Sequence, residues 1–190
     1  MHMRFFAPVV LLLAAACNDT TEPDGENEEE VVTTVELTFS AGGTDIVATW
    51  ADPEDDGSPV IDDITLADGT SYDVTIRFLN ELEDPAEEIT TEIEDEDDEH
   101  QVFFTGDAVG SILTHAYEDA DAGGLPVGLD NTIDTTGTGT GELTITLRHL
   151  PEEDGTAQKV EGLADDAAAN GFGDLPGDND FQGTFNVTVE

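Results

Sequence analysis

Residues 142–149 read ELTITLRH. Leu143, Ile145, Leu147 and His149 fall on one side of this run, with Thr144, Thr146 and Arg148 on the other. Alternation with a period of two marks a strand that turns one face to a core and the other to water. The same period recurs in VELTF (Val35, Leu37, Phe39), in DVTIRF (Val74, Ile76, Phe78, with Thr75 and Arg77 opposite) and in FNVTV (Phe185, Val187, Val189). Weaker strands are expected over 45–51, 60–66, 101–105 and 111–117. Turn-forming clusters separate them: Ala41-Gly42-Gly43, Asp55-Asp56-Gly57, Asp68-Gly69 and 137–141.

Two segments break the pattern. Asp84-Pro85-Ala86-Glu87 has the order of a helix start, with Asp84 as N-cap, Pro85 at the first position and Glu87 at the third. Ile89 and Ile93 then share a face, and the helix should run to about Asp97, frayed by acids that oppose its dipole. A second helix is expected from Val160 to Ala169, closed by Asn170-Gly171. Seven to nine strands at intervals of about ten residues, with one or two short helices, specify a mainly β fold. The expected architecture is an antiparallel β-sandwich with immunoglobulin-like packing over residues 31–190. A domain of this size buries about 68–70% of its extended-chain surface, enough for a core.

The chain carries 46 acidic residues against four Lys and Arg, a formal charge of −42. That balance excludes a nucleic-acid binder, which needs basic patches, and excludes electrostatic docking on anionic lipid. Charge of one sign repels itself and loosens a compact state. Disorder and a salt-requiring folded domain compete as explanations. The apolar content of 37%, set in alternating runs, favours the folded domain of a salt-adapted bacterium.

All the acids lie after Cys17, the chain's one cysteine. Before it, Arg4 and the apolar run from Phe5 to Ala16 have the form of an export signal, too short to span a bilayer. The run Leu13-Ala14-Ala15-Ala16-Cys17 resembles a bacterial lipobox, with Leu one place further from the cysteine than is usual. The resemblance implies removal of residues 1–16 and lipidation of Cys17. The alternative is an ordinary A-x-A cleavage site with an incidental cysteine. Lipidation would leave no thiol for a disulfide, and acyl chains anchor by about 0.8 kcal/mol per buried CH₂. Residues 17–30 then read as an acidic, disordered tether, about 45 Å long if extended. The membrane, through the lipid on Cys17, is the first expected partner.

The runs RFLNELEDPAEEITTEIEDEDDEHQVFF (77–104), YEDADAGGLPVGL (117–129), ELTITLRHLP (142–151) and the terminal FNVTVE resemble a small family of secreted bacterial lipoproteins labelled "type 1 periplasmic binding fold superfamily". The resemblance spans most of 30–190. Its label implies an α/β sugar-binding architecture of about twice this length. The chain lacks βαβ alternation, so the strand pattern decides the fold. The resemblance carries over no catalytic motif, and 152–180 stands out as an acidic variant or insertion.

Catalysis has no sequence support: G-x-S-x-G, H-E-x-x-H and P-loop motifs are all absent. The histidines after Cys17 are His100, His115 and His149, each in or beside an expected strand. With Glu99, Glu118, Asp119 or Asp121 they supply imidazole and carboxylate donors suited to zinc or copper, if the fold brings them together. The bland reading is three separate, locally hydrogen-bonded histidines. Asp119-Ala120-Asp121-Ala122-Gly123 has the alternating carboxylates of a calcium loop, but Asp130 stands where a bidentate Glu would close it. Residues 52–57 and 174–180 are similar clusters, common in any chain this acidic. Trp50 is expected in the core.

These readings converge on a non-enzymatic, lipid-anchored module of the outer membrane or cell surface that binds a ligand or a protein. An outer-membrane transporter or another envelope protein is its expected partner. A metal-handling (zinc or copper) lipoprotein using His100, His115 and His149 is the alternative, and a structural envelope protein the third reading. In rising NaCl, from about 10 mM to about 2 M, the expected thermal midpoint climbs, because the Debye length contracts from about 30 Å at 0.01 M to about 3 Å at 1 M. A midpoint that does not move excludes a salt requirement.

Overall fold

The computed structural model describes residues 30–190. The expected leader (1–16), Cys17 and the tether up to residue 29 lie outside the described residues. In chain order the strands are β1 (Thr34–Ala41), β2 (Thr44–Ala51), β3 (Val60–Ile61), β4 (Ile64–Leu66), β5 (Ser71–Asn80), β6 (Glu87–Glu88), β7 (His100–Thr105), β8 (Leu113–Tyr117), β9 (Asp130–Thr135), β10 (Gly139–His149) and β11 (Asp178–Val189). The helices are α1 (Ile89–Asp95) and α2 (Leu163–Asn170).

The strands form two sheets. One runs β3-β2-β1-β5-β9-β8, with β6 added at the end of β5; the other runs β4-β11-β10-β7. Pairing is antiparallel throughout except for β4 beside β11. This is the expected mainly β, sandwich-like arrangement, with eleven strands among the described residues rather than seven to nine. Most of the excess is the two- and three-residue strands β3, β4 and β6. The 60–66 run divides between sheets: Val60–Ile61 pairs with β2 and Ile64–Leu66 with β11. Strand β9, DNTIDT, was not expected, because only Ile133 in it is strongly apolar. It is held between β5 and β8 by its backbone, which needs no side-chain pattern.

The alternation translates directly into the core. Val35, Leu37 and Phe39 of β1 share one core cluster with Leu143, Ile145 and Leu147 of β10, all at 0% exposure. Phe78 of β5 and Phe181 of β11 meet edge to face at 6.2 Å, and Trp50 closes on Phe181 at 4.9 Å. The β1–β2 hairpin turns through Gly42 and Gly43, both at positive φ, as a two-residue hairpin loop requires.

Both helices start later than their sequence signals. Glu87 and Glu88 pair with Asn80 and Leu79 instead of opening α1. Arg77 reinforces that pairing with a forked contact to the Glu88 carboxylate, 2.5 Å at its shortest. The first helical residue is therefore Ile89, and Asp84 is not its cap. The helix also ends at Asp95, short of Asp97, within the acidic run. Helix α2 covers the outer face of the second sheet, where Leu163 and Ala167 pack on Phe103 and Leu150. The end of that sheet is consequently buried on both faces, and Thr146 to Leu150 are all buried.

Phe78 is fully enclosed. Phe78→Ala is expected to cost about 3–5 kcal/mol in urea-induced unfolding. A loss under about 1 kcal/mol would mean the two sheets do not share this core.

Candidate functional site

At one end of the sandwich four chemically capable side chains meet. Ligand atoms of Glu30, His100, His149 and Asp180 all lie within 4.8 Å of one another. His100 opens β7 and His149 closes β10, and the antiparallel register sets them directly opposite. Their rings stack with centroids 4.7 Å apart and planes 5° from parallel.

Asp180 arrives by a different device. The β10–β11 register passes from Leu147↔Phe181 to Arg148↔Asn179, so the ladder steps over Asp180. Such a bulge re-aims the side chain of the extra residue. Simple alternation would turn Asp180 outward with Gln182 and Thr184. Its side chain is instead fully buried, 3.9 Å from His100 Nε2. Gly177 sits just before this strand at φ 74°, and a Cβ there would collide with the His149 carbonyl. The fourth member, Glu30, precedes β1 in the other sheet. Its side chain is 6% exposed, and its Oε2 lies 3.2 Å from His100 Nε2.

The protonation pattern follows from these contacts. His100 Nδ1 sits 3.2 Å from the Glu96 carbonyl at the end of α1. A carbonyl only accepts, so Nδ1 carries a proton and the Nε2 position faces the cluster. Burial alone would depress the His100 pKa. The Glu30 carboxylate, the Glu96 carbonyl and Asp180 outweigh it and hold the imidazole above its ordinary value. Burial likewise works to raise the Glu30 carboxyl, but His100 and then Asp180 keep it below the usual range. The buried Nε2 atoms of both histidines and Oε2 of Glu30 nevertheless make no aligned hydrogen bond. The His100–Glu30 contact is close but poorly directed.

The other sequence candidates go elsewhere. His115 stacks on Phe104 at 3.9 Å, and its Nε2 contacts Asn131 Oδ1 at 2.9 Å. Asn131 donates its amide to the Gly128 carbonyl, so His115 Nε2 must donate and is engaged. The Asp119 carboxylate accepts three backbone N–H groups, from Gly128, Leu129 and Asp130, at 2.7–3.1 Å. Asp121 accepts from Leu125 N–H and pairs with buried Lys159 at 3.1 Å. Both carboxylates organise the 118–130 loop, Asp119 through its three backbone N–H groups and Asp121 through Leu125 and the tie to Lys159. Asp52 similarly accepts from Asp56 and Gly57 in its own loop. Glu99 lies at the rim of the cluster, 3.8 Å from His149 Nε2. Sequence reading thus placed His100 and His149 but missed Glu30 and Asp180. Nothing in an alternation pattern marks a bulge, and Glu30 looked like the last residue of the tether.

Beside the cluster, His149 also lines an open cleft of about 1030 Å³. Glu152, Glu153, Asp154 and Asp178 contribute to its wall, which contains no Lys or Arg. Among the described residues no helix is long and apolar enough to cross a membrane. Compared with protein-family models, with curated proteins and with solved structures, the chain finds no match in any of the three.

Burial lowers the His115 pKa, against weaker opposition from Asn131 and Asp119. The unfolded chain therefore takes up a proton near pH 6.5 that folded His115 refuses. His115 is expected to subtract stability as pH falls from about 6.5 through its lowered folded value. NMR titration should show its ring titrating below the reference value of about 6.5, and a midpoint above it refutes the assignment.

Proposed function

We propose that the chain is an exported, lipid-anchored, non-enzymatic β-sandwich of the outer membrane or cell surface that binds a cationic ligand. The cleft beside His149 carries this reading: it is open, large enough for a small organic cation, and walled by Glu152, Glu153, Asp154 and Asp178. Carboxylates grouped on one concave surface raise the local concentration of cations even where salt screens the rest of the molecule. The anchor is supported by the lipobox-like Leu13–Cys17 run, and the non-enzymatic reading by the absence of catalytic motifs from the sequence. Val47, Val60 and Ile61, exposed near the β2–β3 edge, suit contact with a transporter or another envelope protein.

A second reading, a metal-handling lipoprotein, is favoured by the stacked His100–His149 pair. Of the three histidines first considered for it, His115 takes no part.

Two measurements test the proposal. Mass spectrometry of the mature protein from bacterial membranes should find Cys17 at the N-terminus carrying acyl chains, whereas an unmodified thiol at Cys17 removes the anchor. For the ligand, spermidine is the probe. It should shift amide resonances over 152–158 and at Asp178, and E152Q/E153Q/D154N should weaken binding at least about tenfold, or about 1.4 kcal/mol. Equal binding by the triple variant refutes the cleft.

A further inference from the structure

The geometry points to Glu30, His100, His149 and Asp180 as a closed four-ligand centre for a divalent transition metal of the zinc class, in which the ion ties the two sheets together. This inference rests on the metal-handling reading and sharpens it from metal handling to a retained, structural ion.

Four observations support it. The donors are two imidazoles and two carboxylates, the nitrogen and oxygen set that zinc accepts, with no thiol to favour copper(I). They are already gathered. Donors of a tetrahedral site with bonds of about 2.0–2.2 Å lie about 3.3–3.6 Å apart, so the widest separation closes by little more than about 1 Å. His100 is oriented as a metal-bound histidine is, with Nδ1–H on the Glu96 carbonyl and Nε2 turned to the site. Finally, His149 is 5% exposed and its Nε2, buried in the cluster, has no hydrogen-bond partner. A buried imidazole nitrogen left without a hydrogen bond is destabilising. A cation at this point satisfies it.

The positions of the ligands indicate what the ion does. His100, His149 and Asp180 belong to β7, β10 and β11 of one sheet, whereas Glu30 leads into β1 of the other. A metal held by all four is a cross-link between layers. Four protein ligands also leave no position for substrate, the pattern of structural rather than catalytic zinc. The ion's role differs from that of an organic cation in the neighbouring cleft, which His149 separates from the cluster.

The test uses the mature chain with Cys17→Ser, stripped with EDTA and refilled with zinc in high NaCl. Calorimetry is expected to give one tight zinc per chain, with a higher thermal midpoint. Cobalt(II) in its place should give the strong visible absorption of four-coordinate cobalt. His149→Ala should abolish tight binding, and Glu30→Gln and Asp180→Asn should each weaken it at least about tenfold. His115→Gln, outside the cluster, should leave it unchanged and controls for adventitious binding to surface carboxylates. Circular dichroism in high salt checks that each variant is folded. Absence of tight zinc binding overturns this centre, and absence of tight copper(II) binding as well overturns the metal-handling reading. Tight binding lost in His149→Ala but kept within about twofold in Glu30→Gln and Asp180→Asn overturns the closed centre alone. Weak, six-coordinate cobalt spectra also overturn it.

Discussion

The long antiparallel ladder between β10 and β11 constrains everything else in this molecule. It runs from Gly139↔Val189 to His149↔Asp178. Along most of its length it does one thing: it aligns Leu143, Ile145, Leu147, Phe185 and Val187 on the face that meets β1 and β5. Near one end, between Leu147 and Arg148, the register slips. Beyond the slip both strands turn chemistry inward instead of hydrocarbon, with His149 from β10 and Asp180 at the slip itself. The packed core makes the site possible, because a strand fixed by so many apolar contacts can hold a polar bulge at its end without unravelling.

The interior and surface follow opposite electrostatic logic. On the surface, most acidic side chains face water. Inside, each buried charge has a specific reason to be there. Arg148 donates to the carbonyls of Leu175, Pro176 and Gly177 and to Asn179 Oδ1, so a guanidinium whose pKa burial depresses pins the chain just before β11. Lys159 spans from Asp121 to the Asp97 carbonyl, joining the 118–130 loop, the acidic run after α1 and the segment before α2. With so few cations, the chain places two of them where they organise long loops, not where they offset surface charge. That allocation explains how a loop-rich acidic chain keeps one arrangement at the site end.

The sequence made the layers legible because half-buried strands write their burial into every second residue. TVELTFSA, SYDVTIRFLN and DNDFQGTFNVTV all do so. Strand β9 did not, since its neighbours on both sides supply the pairing and its side chains are mostly polar. The helix start at Asp84 was a sound local signal overridden by a tertiary one: Glu87 and Glu88 satisfy their backbone against β5. At the site, His149 was legible by its parity with Leu147, and His100 by its place at a strand end. Asp180 was hidden by the bulge, and Glu30 by an acidic neighbourhood in which one more carboxylate carries no information. His115 shows the reverse case. Its parity with Leu113 and Tyr117 was read correctly, but Phe104 and Asn131 had already claimed its ring and its nitrogen.

Lys159 is the chain's single lysine, and it is buried with 1% of its side chain exposed. Arg148 is buried as well. A protease that cleaves after basic residues therefore meets one accessible target in the folded domain, Arg77, and that residue sits inside β5 with β1 hydrogen-bonded along one side. Such enzymes need an extended, unpaired segment to grip. By withdrawing its basic residues to hold its loops, the domain has also become a poor substrate for trypsin-like digestion.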